Sequence, residues 1–173
     1  MQKRVSISGL ITTLSSSERD ERVAAVRGLA ELGEDAVDPL INAMATTKSD
    51  DLRWYAALAL SRIGKDAVMP LISAMQEIPD PDFRRYAAAA LGHLGEPAVD
   101  PLIAAMKGAD PTLRGYLSAA LCRIGVPAFS RLRELYTGED VELRACAELT
   151  LWGMGEEGIL EMMRSLGEEI KEG

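Results

Sequence analysis

Five arginines, Arg22, Arg53, Arg84, Arg114 and Arg144, are each followed eleven residues later by a glycine, Gly33, Gly64, Gly95, Gly125 and Gly155. The steps between successive copies are 31, 31, 30 and 30 residues. A fixed period of this length marks stacked supersecondary units, none of which can bury its apolar face alone. The clearest copy, DPDFRRYAAAALGHLG over residues 80–95, sets Ala87, Leu91 and Leu94 on one helical face. Its glycine predicts a helix stop in the left-handed C′ conformation, which only glycine adopts without a steric penalty.

A second element alternates with the first. AVDPLINAM from Ala36, AVMPLISAM from Ala67 and AVDPLIAAM from Ala98 each predict a helix with Pro39, Pro70 or Pro101 in its first turn, where a missing N–H costs least. Asp80, Asp110 and Asp140 stand where N-caps of the following helices belong. The segment RVSISGLITTL at residues 4–14 is a weaker first helix, and Ser15 to Asp20 make the turn after it. In the last repeats the pattern drifts. Arg131 and Glu161 replace the proline, Gly158 replaces the usual alanine, and the chain closes on the polar GEEIKEG, suited to a capping helix facing water.

These features predict an all-α protein, an α-solenoid wound as a right-handed superhelix, with five helix pairs and one terminal helix. The expected repeats span residues 4–33, 34–64, 65–95, 96–125 and 126–155, with a C-terminal cap at 156–173, all in one domain over 1–173. The net charge of −8 argues against general binding to nucleic acid or anionic membrane, whose phosphates demand a basic footprint. Apolar runs fall short of the roughly 20 residues a membrane helix needs, and the N-terminal segment lacks a convincing cleavage site, so a cytoplasmic protein is expected. Cys122 and Cys146 lie at non-equivalent positions of different repeats and read as reduced thiols.

The pattern D-x-x-x-R-x-x-A-x-x-A-L-x-x-[IL]-G followed by A-V-x-P-L-I-x-A-M resembles the short HEAT-like repeats of phycobilisome lyase subunits, with Arg84, Ala87, Ala90, Leu91, Leu94 and Gly95 at the expected places. The resemblance implies that the arginine-bearing helices line a concave surface and the proline-bearing helices a convex one. It brings two function classes into view. One is a non-enzymatic scaffold that binds a partner protein or peptide on the concave surface; the other is an accessory subunit of a modifying enzyme, such as a bilin lyase. Deoxyhypusine hydroxylases hold iron with His-Glu pairs on such repeats, but the one histidine here, His93, is followed by Leu94. No nucleophile with a base, metal cluster or phosphate loop is present, so no catalytic residue, metal or cofactor is assigned.

Counting the arginine as zero at about 100° per residue, positions three, seven and ten cluster toward the core, and positions one, five and nine point away. Position two reads Ala24, Tyr55, Tyr86, Tyr116 and Cys146, a row holding three of the four tyrosines. Two readings stand: the rings fill gaps between repeats, or, with Trp54 beside them, they line a binding groove. Positions one, five and nine together hold four arginines against one glutamate, including Arg62, Arg85 and Arg123. Either these orient the acidic residues of a partner, or they answer the helix dipole, as do the acids Asp20, Asp51, Asp82 and Glu142 at the helix starts. The candidate partner-binding residues are therefore Trp54, Tyr55, Tyr86, Tyr116, Arg62, Arg85 and Arg123. The repeated arginine itself is expected to brace the stack by reaching carboxylates or orphan carbonyls of the neighbouring repeat. Met44, Met75 and Met106 read as core filler, and Trp152 either covers an open end of the stack or contacts another chain.

Overall fold

Aspartate caps the start of α6, α8 and α10, proline sits in the first turn of α3, α5 and α7, and a glycine of positive φ follows α4, α6 and α8. The structure, a computed structural model, describes residues 6–172, with side chains as far as residue 167. Eleven α-helices and no strand occur among the described residues: α1 (Ile7–Thr13), α2 (Arg19–Glu31), α3 (Val37–Thr46), α4 (Asp50–Ile63), α5 (Val68–Glu77), α6 (Pro81–Leu94), α7 (Val99–Met106), α8 (Pro111–Ile124), α9 (Phe129–Tyr136), α10 (Val141–Gly153) and α11 (Glu156–Glu172). The even-numbered helices α2 to α10 carry the repeated arginine. They form five pairs with the helices before them, and α11 follows as an unpaired first helix.

The helices form two compact units that divide between Leu94 and Gly95. In the first, α2, α4 and α6 lie side by side in one layer, and α1, α3 and α5 in the other. In the second, α8 and α10 are neighbours, α7 and α9 pack on them as pair partners, and α11 lies against both α9 and α10.

Asp110 caps α8 by accepting from the backbone N–H of Thr112 at 2.8 Å and of Leu113 at 3.0 Å. Asp80 accepts from Phe83 N at 2.6 Å, and Asp140 from Glu142 N and Leu143 N, both at 3.1 Å. Each aspartate satisfies N–H groups that have no intrahelical partner. Asp110→Ala is expected to cost about 1 kcal/mol, read as a lower urea midpoint with an unchanged slope.

The helix stops differ in one detail from expectation. Gly64 (φ 96°, ψ −150°) and Gly95 (φ 75°, ψ −144°) have positive φ but lie outside the left-handed helical well, in a region that is essentially glycine-only. This extended conformation, and not a left-handed cap, turns the chain into a short 3-10 turn before the next helix, at Lys65–Ala67 and Glu96–Ala98. Similar 3-10 turns precede α3 and α9, whereas α11 begins without one.

Equivalent positions are buried in repeat after repeat. Leu40, Leu71, Leu102 and Leu132 of the first helices are fully buried, as are Leu29, Leu60, Leu91, Leu121 and Leu151 of the second. Each such leucine contributes about 1.5–3 kcal/mol of transfer free energy. Met44, Met75 and Met106 lie in the core, as their spacing indicated. Phe83, one position before the repeated arginine and one turn before Ala87, is fully buried too and extends the core face by one turn toward the helix start.

The repeated arginines of the first four pairs donate to carbonyls at the end of the first helix of their own pair or in the turn after it, not to a carbonyl of the neighbouring repeat. Arg84 Nε donates to Met75 O at 2.9 Å, Arg53 Nη2 to Thr47 O at 2.6 Å, Arg114 Nε to Met106 O at 3.3 Å, and Arg22 Nη1 to Ser16 O at 2.6 Å. A cation there answers the negative end of the helix dipole while satisfying orphan carbonyls. Arg114 alone also reaches a carboxylate of the next repeat, Glu142 on α10.

Where proline is lost, polar bonds tie the first helices together. Arg131 Nε donates to Asp100 Oδ1 at 2.6 Å, linking α9 to α7. Glu161 is buried and accepts from Arg133 of α9 at 3.3 Å and from Arg164 at 3.0 Å.

Candidate functional site

Two adjacent arginine-bearing helices leave a furrow between them wherever the side chains at positions one to nine fail to fill it. In the first unit this furrow lies between α4 and α6. Trp54, Ala57, Leu58 and Ser61 form one wall, and Tyr86, Ala89, Ala90 and His93 the other, around a shallow hollow of about 50 Å³. Ala57 and Ala90 are buried at its floor, while Trp54 stands 53% exposed. A large amphipathic ring held half in water is poised to bury more surface against a partner. His93 Nδ1 donates to Ala89 O at 2.8 Å, which leaves Nε2 as the ring nitrogen not engaged by that carbonyl.

The structure separates the candidate residues. Trp54 and Tyr86 share the α4/α6 groove. Tyr55 lies instead beneath Arg22 of α2, whose guanidinium sits 5.0 Å from the ring centroid, so this tyrosine packs between repeats. Tyr86 is likewise covered on one face by Arg85, again at 5.0 Å. Arg85 is thus engaged already, bonded to Asp82 at 3.0 Å and near Asp50 at 3.8 Å. Arg62 is exposed, with no ion pair among the described residues. In the second unit, Tyr116 is half-buried on α8 and Arg123 is exposed.

The second unit has its own groove, between α8 and α10, which the tyrosine row did not reveal. Gly115, Ser118, Ala145, Cys146 and Leu149 line it together with Met106, Pro111 and Arg114, around a hollow of about 240 Å³. The reason is substitution at the same positions. Gly115 stands where α4 has Trp54, and Cys146 where α6 has Tyr86. A Cβ on Gly115 would meet nothing within 4 Å. The signal in the sequence was the end of the aromatic row, a place where small residues open space.

Burial pushes the Cys146 thiol above its ordinary range, against a smaller opposing pull from Arg114. Cys122 is pushed up by burial too, and its Sγ lies 3.4 Å from Thr150 O. Both therefore stand as neutral thiols, weak nucleophiles at neutral pH. Among the described residues no helix is long and apolar enough to cross a membrane.

A family profile described as HEAT repeats matches residues 7–77 and 68–152. No curated protein sequence matches the chain. Similar solved structures include the complex of CpcE and CpcF of phycocyanin lyase from Nostoc sp. PCC7120, 24% identical over 86% of this chain and 99% of that one, with a TM-score of 0.46. A designed armadillo repeat protein is 17% identical over 92% of this chain and 88% of that one, TM-score 0.33. An engineered protein is 18% identical over 95% and 86%, TM-score 0.32.

Proposed function

The chain belongs to the HEAT-repeat family, and from that premise we propose that it is a non-enzymatic scaffold whose arginine-bearing helices receive a segment of a partner protein. The observation that carries the reading is the α4/α6 groove, where the exposed ring of Trp54 faces Tyr86 across an alanine floor. Aromatic anchors around a desolvated centre are the composition of binding hot spots. An apolar side chain of the partner would seat between the two rings. Arg62, exposed and without an ion pair among the described residues, would take an acidic residue beside it.

Arg85 is left a different task. Its bonds to Asp82 and Asp50 hold it over Tyr86, which fixes the ring as a wall of the groove. Tyr55 and Tyr116 support the stack rather than the contact.

The test uses a partner recovered by affinity capture from the source lysate, then purified. Trp54→Ala and Tyr86→Ala are expected to weaken its binding by about 1 to 2 kcal/mol, which is about 5- to 30-fold in Kd. Trp54→Ala should leave the melting temperature nearly unchanged. A several-kcal/mol loss of stability in both variants with undiminished affinity in the folded fraction would make these rings packing only, and would sink the groove.

A further inference from the structure

The α8/α10 groove is open because the rings that fill the equivalent space elsewhere are absent from it. Between α2 and α4, Arg22 stands at position zero of the earlier helix and Tyr55 at position two of the later one, and the guanidinium lies 5.0 Å from the centre of the ring. Tyr86 is covered by Arg85 at the same distance. The positions of Arg22 and Tyr55 recur between α8 and α10 as Arg114 and Cys146. Between α4 and α6, Trp54 and Tyr86 stand where α8 and α10 have Gly115 and Cys146, and the hollow beside those rings is about 50 Å³. Without them it is about 240 Å³. The added space lies where aromatic side chains stand in the first unit, and Arg114 remains as one of its walls.

The polar groups of this groove already answer one another. Arg114 donates to Glu142 and, through Nε, to Met106 O at 3.3 Å. Ser118 Oγ lies 2.9 Å from Thr150 Oγ1. Arg114 and Glu142 cancel, so no charge is left over for an ionic ligand. Met106 and Cys146 form a buried floor, and Pro111 and Leu149 stand exposed at the rim. An apolar hollow of about 150 Å³ accepts one benzene ring, whereas drug-sized ligands occupy roughly 300–1,000 Å³. A space between these limits suits one or two fused rings.

We propose that the α8/α10 groove binds a small neutral aromatic molecule of one or two rings, which lies on Met106 and Cys146 with its face against the Arg114 guanidinium, in place of the tyrosine that α10 lacks. Stacking uses the face of the guanidinium and leaves the bond to Glu142 in its plane undisturbed. A ring carried on a protein backbone is the poorer occupant. Its amide groups would be pressed on Pro111 and Leu149, with neither Arg114 nor Ser118 free to answer them.

The probes are naphthol and its fully saturated counterpart, decahydronaphthol. Cys122→Ser leaves Cys146 as the sole thiol of the chain, so occupancy is read from its protection against alkylation by iodoacetamide and from calorimetric titration. Naphthol is expected to bind saturably with a Kd of about 1 mM or below, to slow alkylation in proportion to occupancy, and to bind about fivefold tighter than decahydronaphthol, which has no face for Arg114. Cys146→Tyr and Gly115→Trp each restore a ring of the first unit and should abolish binding. Gly115→Trp is the surer to fold, since a Cβ on Gly115 meets nothing within 4 Å. No saturable binding up to about 1 mM naphthol, equal affinity for the two probes, or undiminished binding in folded Gly115→Trp overturns the proposal. So does tighter binding of N-acetyltryptophanamide than of naphthol, since the ring would then be one that a protein supplies.

Discussion

Gly158→Ala, which installs the residue found at the same place in the four preceding repeats, is expected to destabilise the protein by about 3 kcal/mol. Ala36, Ala67, Ala98 and Ala128 are all fully buried at that position, so a repeat consensus would favour the change. Helix propensity favours it as well, since alanine exceeds glycine by about 1 kcal/mol in a helix. The local geometry outweighs both. A Cβ at residue 158 would lie 2.0 Å from Leu151 O, 2.8 Å from Leu151 C and 3.0 Å from Met154 Cβ. Two of those atoms are backbone and cannot rotate aside. The cause is the missing 3-10 turn: α11 starts at Glu156, directly after α10 ends at Gly153, and its first turn presses on the end of α10. Relief requires α11 to shift from α10, which would loosen the bonds of Glu161 to Arg133 and Arg164. Urea denaturation and amide exchange across residues 156–167 would register the change together. An unchanged or raised melting temperature would show that the close approach of α11 is not present in solution.

That contrast marks what the sequence could and could not disclose. Periodicity located all five helix pairs, the aspartate caps and the methionine row, because each depends on a few residues within one or two turns. Gly158 was visible as a departure from pattern, but its reason was the path of the chain seven residues earlier. Arg85 read as a free cation at position one, whereas its bonds to Asp82 and Asp50 depend on how α4 and α6 pack. The α8/α10 groove was missed for a related cause. Attention to aromatic residues finds what fills space, and Gly115 and Cys146 matter by leaving it empty. The division between Leu94 and Gly95 has no counterpart in the spacing, which runs through it at the same period.

The repeated arginine gives the second large effect, and it separates two residues that the sequence makes equivalent. Arg84 is 5% exposed, and its Nε–H is held by Met75 O at 2.9 Å. The helical partner of that carbonyl would be the N–H of residue 79, and residue 79 is Pro79, which has none. Arg84→Ala therefore removes the donor from a carbonyl that the backbone cannot satisfy, along with the packing of the side-chain stem. The expected cost is about 3 kcal/mol, the sum of a charge-assisted bond and a buried acceptor left bare. Arg84→Lys should recover little of it, because an ammonium lacks the directed Nε–H and is more strongly hydrated. Arg144 occupies the same place in the fifth repeat but is exposed, with no hydrogen bond to a preceding carbonyl among the described residues. Arg144→Ala should thus change stability by less than about 0.5 kcal/mol, as surface substitutions usually do. Equal losses in the two variants would mean that the arginine acts through the charge of its own helix start. A large loss confined to Arg84 assigns its role to the α5 terminus.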